Sequence, residues 1–265
     1  MPHDLVVKYK NEIGSLDLSK LNPSEMNLLA AIFATLKDKG QKVIRLDFDK
    51  FRNLARVDKN INDSELGRYV TDTLKKVGAG NFVLETNENW VMFPLFEKLS
   101  VDKNEKVIQY KISTTFHQFF NDLTALYTSF PLGTYTKISG KYPKILYQHL
   151  MQYSSTGLYV EDYERFLFDV LRIPANAIRR NINSKYINPA VNKLNKYGYV
   201  PDLKVEYIRD RKTNVVKTIK FTFTPSTKSP VQIRKAEENI VNNLANFDAN
   251  EEIVDIDFDK DDMPF

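Results

Sequence analysis

Between Asn176 and Tyr197 apolar side chains return every three or four residues, at Ile178, Ile182, Tyr186, Ala190, Leu194 and Tyr197. That period gives a helix one apolar stripe to pack, and Gly198 supplies its stop. Arg179, Arg180, Lys185, Lys193 and Lys196 fall off the stripe and face outward in such a helix. Pro189 interrupts it, at a cost of roughly 3 kcal/mol in a regular interior, so the helix either kinks there or begins nearer Pro189. The period then changes to two. LKVEYIRDRKTNVVKTIKFTFTP predicts two strands around a polar turn at residues 209–214.

The same patterning organises the rest of the chain. Residues 5–13 predict an opening strand. Asn22, Pro23, Ser24 and Glu25 make a helix start, with a cap and a proline in the first turn, and that helix runs to Gly40. A strand at 42–46, a short helix at 47–55 and a longer helix at 63–77 follow, and Gly78 and Gly80 end the last. Strands are predicted at 82–86, 90–96 and 107–112. The order of helices and then strands returns in the second half, with helices at 139–153, 163–171 and 176–197 before the closing hairpin. The two copies share a pattern and not a sequence, and about 110 residues is an ordinary domain size. A helix followed by a basic hairpin is how a winged helix presents itself to DNA, the helix in the major groove and the hairpin along phosphates. The expected fold is therefore α+β: two tandem winged-helix domains, residues 1–130 and 131–225, joined through 114–131, with a flexible acidic tail over 226–265.

Charge sharpens this picture. The net +4 conceals a split, since residues 231–265 carry three basic and ten acidic side chains (−7) and the first 230 residues are +11. Residues 176–220 alone hold eleven Lys and Arg against Asp202, Glu206 and Asp210, a net +8. Such a body implies a polyanionic partner, and such a tail a separate role. The plainer alternative makes these charges the solvated face of an ordinary α+β element.

Enzyme chemistry finds little support. Only His3, His117 and His149 exist, far apart, so no metal site is expected, and the latter two read as packed core histidines. The fourteen tyrosines lack metal ligands beside them and read as core or groove-facing. No phosphate-binding glycine loop with its lysine is present, and Asp47 and Asp49 bracket a helix start as caps. The expectation is no catalytic residue, no metal and no cofactor. Absence of cysteine excludes disulfides and thiolate chemistry. The longest apolar run, 28–36, is too short for a bilayer and suits a buried helix. With a polar start that is no signal peptide, a cytoplasmic protein with no membrane partner is expected.

Ile187-Asn188-Pro189-Ala190-Val191-Asn192-Lys193-Leu194-Asn195 is similar to the L-x-P-A-x-x-E-I-N run of iteron-binding plasmid replication initiators of the RepA/RepE type. The hairpin VEYIRDRKTNVVKTIKFTF resembles their closing wing, TSFPLGTYTKISGKYPKILYQHL their linker and following helix, and LNPSEMNLLAAIF their opening helix. The likeness covers about residues 5–225. It implies double-stranded origin DNA as partner, with the second domain reading the repeat and the first touching the adjacent half. It also implies a homodimer that represses its own gene and a monomer that opens the origin. Where relatives show an arginine-rich D-F-R-x-R at the start of the recognition helix, this chain has Asn181-Ile182-Asn183-Ser184-Lys185. Asn and Ser still bond base edges, Asn best to adenine, and Arg179 and Arg180 supply charge one turn earlier.

The candidate DNA contacts are thus Arg179, Arg180, Asn183, Ser184, Lys185 and Lys193 on the helix and Arg209, Arg211, Lys212 and Lys217 on the hairpin. Arg68 and Lys75, on the less basic third helix of the first domain, join them in a supporting role. In the tail, 231–247 has the periodicity of a short amphipathic helix. Asp259-Lys260-Asp261-Asp262-Met263-Pro264-Phe265 resembles the acidic tip of bacterial single-stranded-DNA-binding protein. Asp259, Asp261, Asp262, Met263, Pro264 and Phe265 are expected to dock on a host helicase, helicase loader or primase that reads that tip, acids on a basic rim and Phe in an apolar pocket. The alternatives are a solubilising tail or one that folds back on the basic wing. A winged-helix transcriptional repressor without a role in initiation is the second functional reading.

Overall fold

The computed structural model describes residues 5–226, apart from 12, 14–17, 19, 59, 79–81, 86–89, 122 and 124–126. Of 77, 78, 82–85 and 90–93 it describes the backbone alone. Everything expected of the tail, its helix and its tip included, lies outside the described residues.

The first helix begins where the sequence places it. Asn22 Oδ1 accepts the amides of Ser24 and Glu25, each at 2.9 Å, and Glu25 Oε2 accepts the amide of Asn22 at 2.8 Å. This reciprocal pair satisfies donors the helix cannot. The helix, α1 (Pro23–Leu36), is apolar nearly all round and sits inside the protein. It stops short of Gly40 because the chain turns at Asp38, which holds φ 55°. Glu25, buried itself, takes Lys76 Nζ at 2.5 Å, so a buried carboxylate has a cation as well as an amide.

Strand β2 (Ile44–Asp47) leads into α2 (Phe48–Ala55), capped by Asp47, and then into α3 (Asp63–Gly78). A hairpin of β3 (Phe82–Glu85) and β4 (Trp90–Phe93) precedes β5 (Phe96–Asp102) and β6 (Val107–Ile112). The single strand predicted at 90–96 is two, broken at Pro94, which has no amide to donate to a ladder. Strand β6 pairs antiparallel with both β2 and β5.

The second half repeats this plan. Strand β7 (Tyr127–Pro131) and the short α4 (Leu132–Lys137) lead to α5 (Lys141–Leu150). Then come β8 (Leu158–Asp162) and α6 (Tyr163–Arg165), which widens into a π turn over Phe166–Val170. A second π turn (Asn183–Ile187) runs into α7 (Asn188–Lys196), and β9 (Lys204–Arg209) and β10 (Val216–Thr222) close the half. The sheets have one topology, β2-β6-β5 and β8-β10-β9: a strand, two helices, and a hairpin whose returning strand lies in the middle. Each half is a winged helix.

The halves are stitched together. Strand β1 (Val6–Lys10) pairs antiparallel with β7, from Val6 opposite Pro131 to Lys10 opposite Tyr127. One continuous apolar core includes residues of both halves, with Tyr9, Phe33, Phe120 and Phe130 meeting edge-on or tilted. Beside it runs a polar seam. Lys144 of α5, 1% exposed, donates to Asn27 Oδ1 at 2.5 Å and to the Tyr135 carbonyl at 2.6 Å. Asn27 returns a bond to the Thr136 carbonyl at 3.3 Å, and Gln148 donates to Tyr9 Oη. With no carboxylate among these partners, burial pushes the Lys144 ammonium down to about 7.

Candidate nucleic-acid interface

Helix α7 and the turn before it carry their apolar residues inward. Ile182, Ile187, Ala190, Val191 and Leu194 are buried, and the ring of Tyr186 meets Tyr142 of α5 edge-on at 4.8 Å. The stripe differs from the predicted one at both ends: Ile178 and Tyr197 are 57% and 59% exposed, and Ile187 and Val191 take inner places. The helix is shorter than the predicted 176–197: Ile178 is extended backbone before a 3-10 turn at Arg179–Asn181, Tyr197 lies past the end of α7, and the π turn brings in Ile187 between them. The π turn also resolves the proline. A regular helix would drive the Pro189 ring into the carbonyl four residues back. Here Asn188 N bonds Asn183 O, five residues back, and Pro189 falls in the first turn of α7.

The outward face presents Arg180, Ser184, Lys185, Pro189, Asn192, Asn195 and Lys196, all exposed. Four other predicted contacts have partners inside the protein. Arg179 makes a two-pronged ion pair with Glu164, both contacts 2.5 Å, and lies over the Phe168 ring at 5.3 Å. Asn183 Oδ1 accepts the Tyr163 hydroxyl at 2.5 Å. Lys193 Nζ donates to Ser139 Oγ at 3.1 Å and its carbonyl at 3.2 Å, tying α7 to the start of α5. Arg209 Nη1 donates to the Asn214 carbonyl at 2.8 Å across the wing turn. The wing is fixed to the helix where the Tyr207 hydroxyl reaches Asn188 Oδ1 at 2.7 Å.

The wing turn is built around one carboxylate. Asp210 Oδ1 accepts the amides of Lys212 and Thr213 at 2.9 and 2.8 Å and the Thr213 hydroxyl at 3.0 Å. The Thr213 amide above all, then its hydroxyl and the Lys212 amide, hold this carboxyl below the usual carboxylate range. Asn214 sits in the left-handed region at φ 55° and closes the turn with a bond to the Asp210 carbonyl at 2.9 Å. Arg211, Lys212 and Lys217 project exposed from it. Among the described residues, Arg180, Lys185, Arg211, Lys212 and Lys217 have no side-chain hydrogen bond or ion pair. Asn192 and Asn195, not among the predicted contacts, share this outer face, seven and ten residues from Lys185.

The first half offers less. Arg68 and Lys75 are exposed on α3, but Asp72 is exposed between them and Lys76 is committed to Glu25. Its wing is partly neutralised, with Lys106 on Asp63 at 2.8 Å and Lys111 on Glu97 at 2.8 Å. Across residues 1–175 there are 23 basic and 21 acidic side chains, a net +2. The positive charge of the body therefore belongs to the second winged helix. Among the described residues no group of His, Asp or Glu is placed to hold a metal, and no helix is long and apolar enough to cross a membrane.

The family model described as "Initiator Replication protein, WH1" matches residues 6–151, over half of the chain. The chain belongs to the initiator replication protein family. The initiator is 26% identical over 239 residues to the "Probable replication protein rep" of Bifidobacterium longum (strain NCC 2705), spanning 88% of this chain and 78% of that one. Among solved structures, the Pi initiator protein in complex with iteron DNA superposes with a TM-score of 0.67 at 14% identity, over 85% of the initiator and 99% of that chain. Domains 2 and 3 of RctB give a TM-score of 0.45 at 12% identity, over 77% and 83% of the two chains.

Proposed function

We propose that the initiator binds directly repeated double-stranded DNA at a plasmid replication origin and recruits host replication proteins there, with no catalytic step of its own. The observation that carries this reading is the concentration of unpaired cations on one helix and its wing turn, in a body otherwise near neutral. On this reading Arg180, Ser184, Lys185 and Asn192 enter a major groove, and Arg211, Lys212 and Lys217 lie along phosphates. Arg179, Asn183, Lys193 and Arg209 keep that surface in shape, while Arg68 and Lys75 give the first half a weaker, supporting contact. The Pi initiator, which shares the fold, was solved on iteron DNA, and this supports the same class of site here. Such a protein works in the cytoplasm, where origin DNA is.

Substitution separates the two kinds of contact. Lys212→Ala should weaken binding evenly on all sequences and lower the salt slope by about one unit. Lys185→Ala should cost roughly 1–3 kcal/mol on the repeat alone, relaxing preference at one base pair. Equal losses on repeat and scrambled duplexes from both variants would contradict base reading by this helix. Recruitment is assigned to Asp259, Asp261, Asp262, Met263, Pro264 and Phe265. Deleting 263–265 should abolish capture of the host helicase, helicase loader or primase while sparing DNA binding, and capture that survives deletion sinks that assignment.

A further inference from the structure

Arg180, Lys185, Arg211, Lys212 and Lys217 make no ion pair among the described residues, Asp210 being the one carboxylate of the wing turn beside them, and the same chain carries a segment with the complementary pattern. Residues 251–262 (EEIVDIDFDKDD) hold seven acidic side chains and one basic. Within them Val254, Ile256 and Phe258 alternate with Asp255, Asp257 and Asp259, so an extended backbone would set apolar residues on one side and acids on the other. The face has a matching mixture. The same segments that carry Arg180, Lys185, Arg211, Lys212 and Lys217 also carry Ile178 and Val215, which are 57% and 55% exposed. Phosphates have no use for exposed isoleucine and valine, whereas an apolar–acidic strand does.

The tether allows the contact. The described chain leaves the second half at Ser226, whose amide is held by the Ser154 carbonyl at 2.7 Å, beside the end of β10. The wing turn lies at the other end of β10, a seven-residue strand of about 23 Å. From Ser226 to Asp255 there are 29 residues, enough to reach up to about 95 Å. Tethering through a link of this length sets an effective concentration of roughly millimolar order.

We propose that residues 251–262 occupy this face when DNA is absent, so that the tail and DNA compete for the same cations. The proposal rests on the reading of the face as the DNA surface. Competition is reciprocal, because whatever the tail takes from DNA affinity, DNA takes from tail docking. Origin binding then releases the tail and, with it, the tip, whose acids Asp259, Asp261 and Asp262 belong to both segments.

The test compares the full chain with the full chain carrying Glu251→Gln, Glu252→Gln, Asp255→Asn, Asp257→Asn and Asp259→Asn. At about 50 mM salt the neutralised chain should bind repeat and scrambled duplexes alike roughly tenfold more tightly, with the advantage gone by about 0.5 M. Affinities within twofold of each other at low salt would overturn the proposal. A second readout needs no DNA. A synthetic peptide of residues 251–262 should bind the neutralised chain and should lose that binding in its Arg180→Ala/Lys185→Ala/Arg211→Ala/Lys212→Ala form. Peptide binding that survives those four changes, or no peptide binding, also overturns it. Absence of repeat preference in the unmodified chain would instead count against the DNA reading while leaving the peptide result to stand.

Discussion

Lys144 permits a prediction whose sign and size both come from its surroundings. Its Nζ is enclosed between Asn27, the Tyr135 carbonyl and the Tyr135 ring, 4.2 Å from the ring centre, with neutral partners only. Burial takes the ammonium from about 10.5 in the unfolded chain to about 7 in the folded one. Between those values the unfolded chain binds the extra proton, so stability rises with pH, by about 1.4 kcal/mol per unit. From pH 7 to 9.5 the gain approaches roughly 3 kcal/mol. Above pH 10 the buried Tyr9, Tyr110, Tyr135 and Tyr147, whose pKa values are raised by burial first of all, reverse the trend. Lys144→Met removes the titrating group and leaves two buried acceptors unpaired, at about 1–3 kcal/mol each. Urea unfolding followed by far-ultraviolet circular dichroism, at half-unit steps from pH 7 to 9.5, should show the wild-type curve climbing away from a flat variant. Parallel curves would mean that Lys144 keeps an ordinary pKa, and the seam would need a different description.

Three further outcomes follow from local geometry. Gly157→Ala would place a methyl 2.3 Å from the Phe223 carbonyl oxygen at a residue with φ +64°, so a loss of about 2–3 kcal/mol and a fall in Tm of roughly 5–10 °C are expected; an unchanged Tm would refute the close approach of β8 and β10 there. Asn22→Ala removes one side of the reciprocal cap of α1 and should cost about 1 kcal/mol, with Asn22→Asp restoring most of it in thermal melts; equal losses from both would show that the cap is not what matters. Tyr163→Phe frees Asn183 while taking away one hydrogen bond of about 1 kcal/mol. On the proposed reading it should alter base preference in a binding-site selection more than total affinity, and an unchanged selected sequence would detach Asn183 from recognition.

The parts of the fold that announce themselves in sequence are those with local causes. The Asn22–Glu25 pair and Asp47 specify helix starts through their own side chains, and the 204–222 hairpin follows from strict alternation around a carboxylate-built turn. Strands β5, β7 and β8 escaped because pairing creates them. The β8 segment Leu-Tyr-Val-Glu-Asp ends in two acids that disfavour strands alone, yet it lies register for register against β10. Recognition-helix details escaped for another reason. Ile178 and Tyr197 fall outside the helix ends, and the π turn between Asn183 and Ile187 adds a residue that a strict 3.6 period does not count. Arg179 and Asn183 looked available because Glu164 and Tyr163, fifteen and twenty residues earlier, become neighbours only through folding. Lys144 had no signal at all, since a lysine in a helix reads as solvated until Asn27 of the other half closes over it.

Sequence-specific DNA binding by the second winged helix is tested most directly by one titration. The full chain is titrated onto a duplex carrying the direct repeats beside its own gene and onto a scrambled duplex, at about 0.15 M salt. A preference of about a thousandfold or more for the repeats is the predicted result. Equal and weak binding to both duplexes would contradict it.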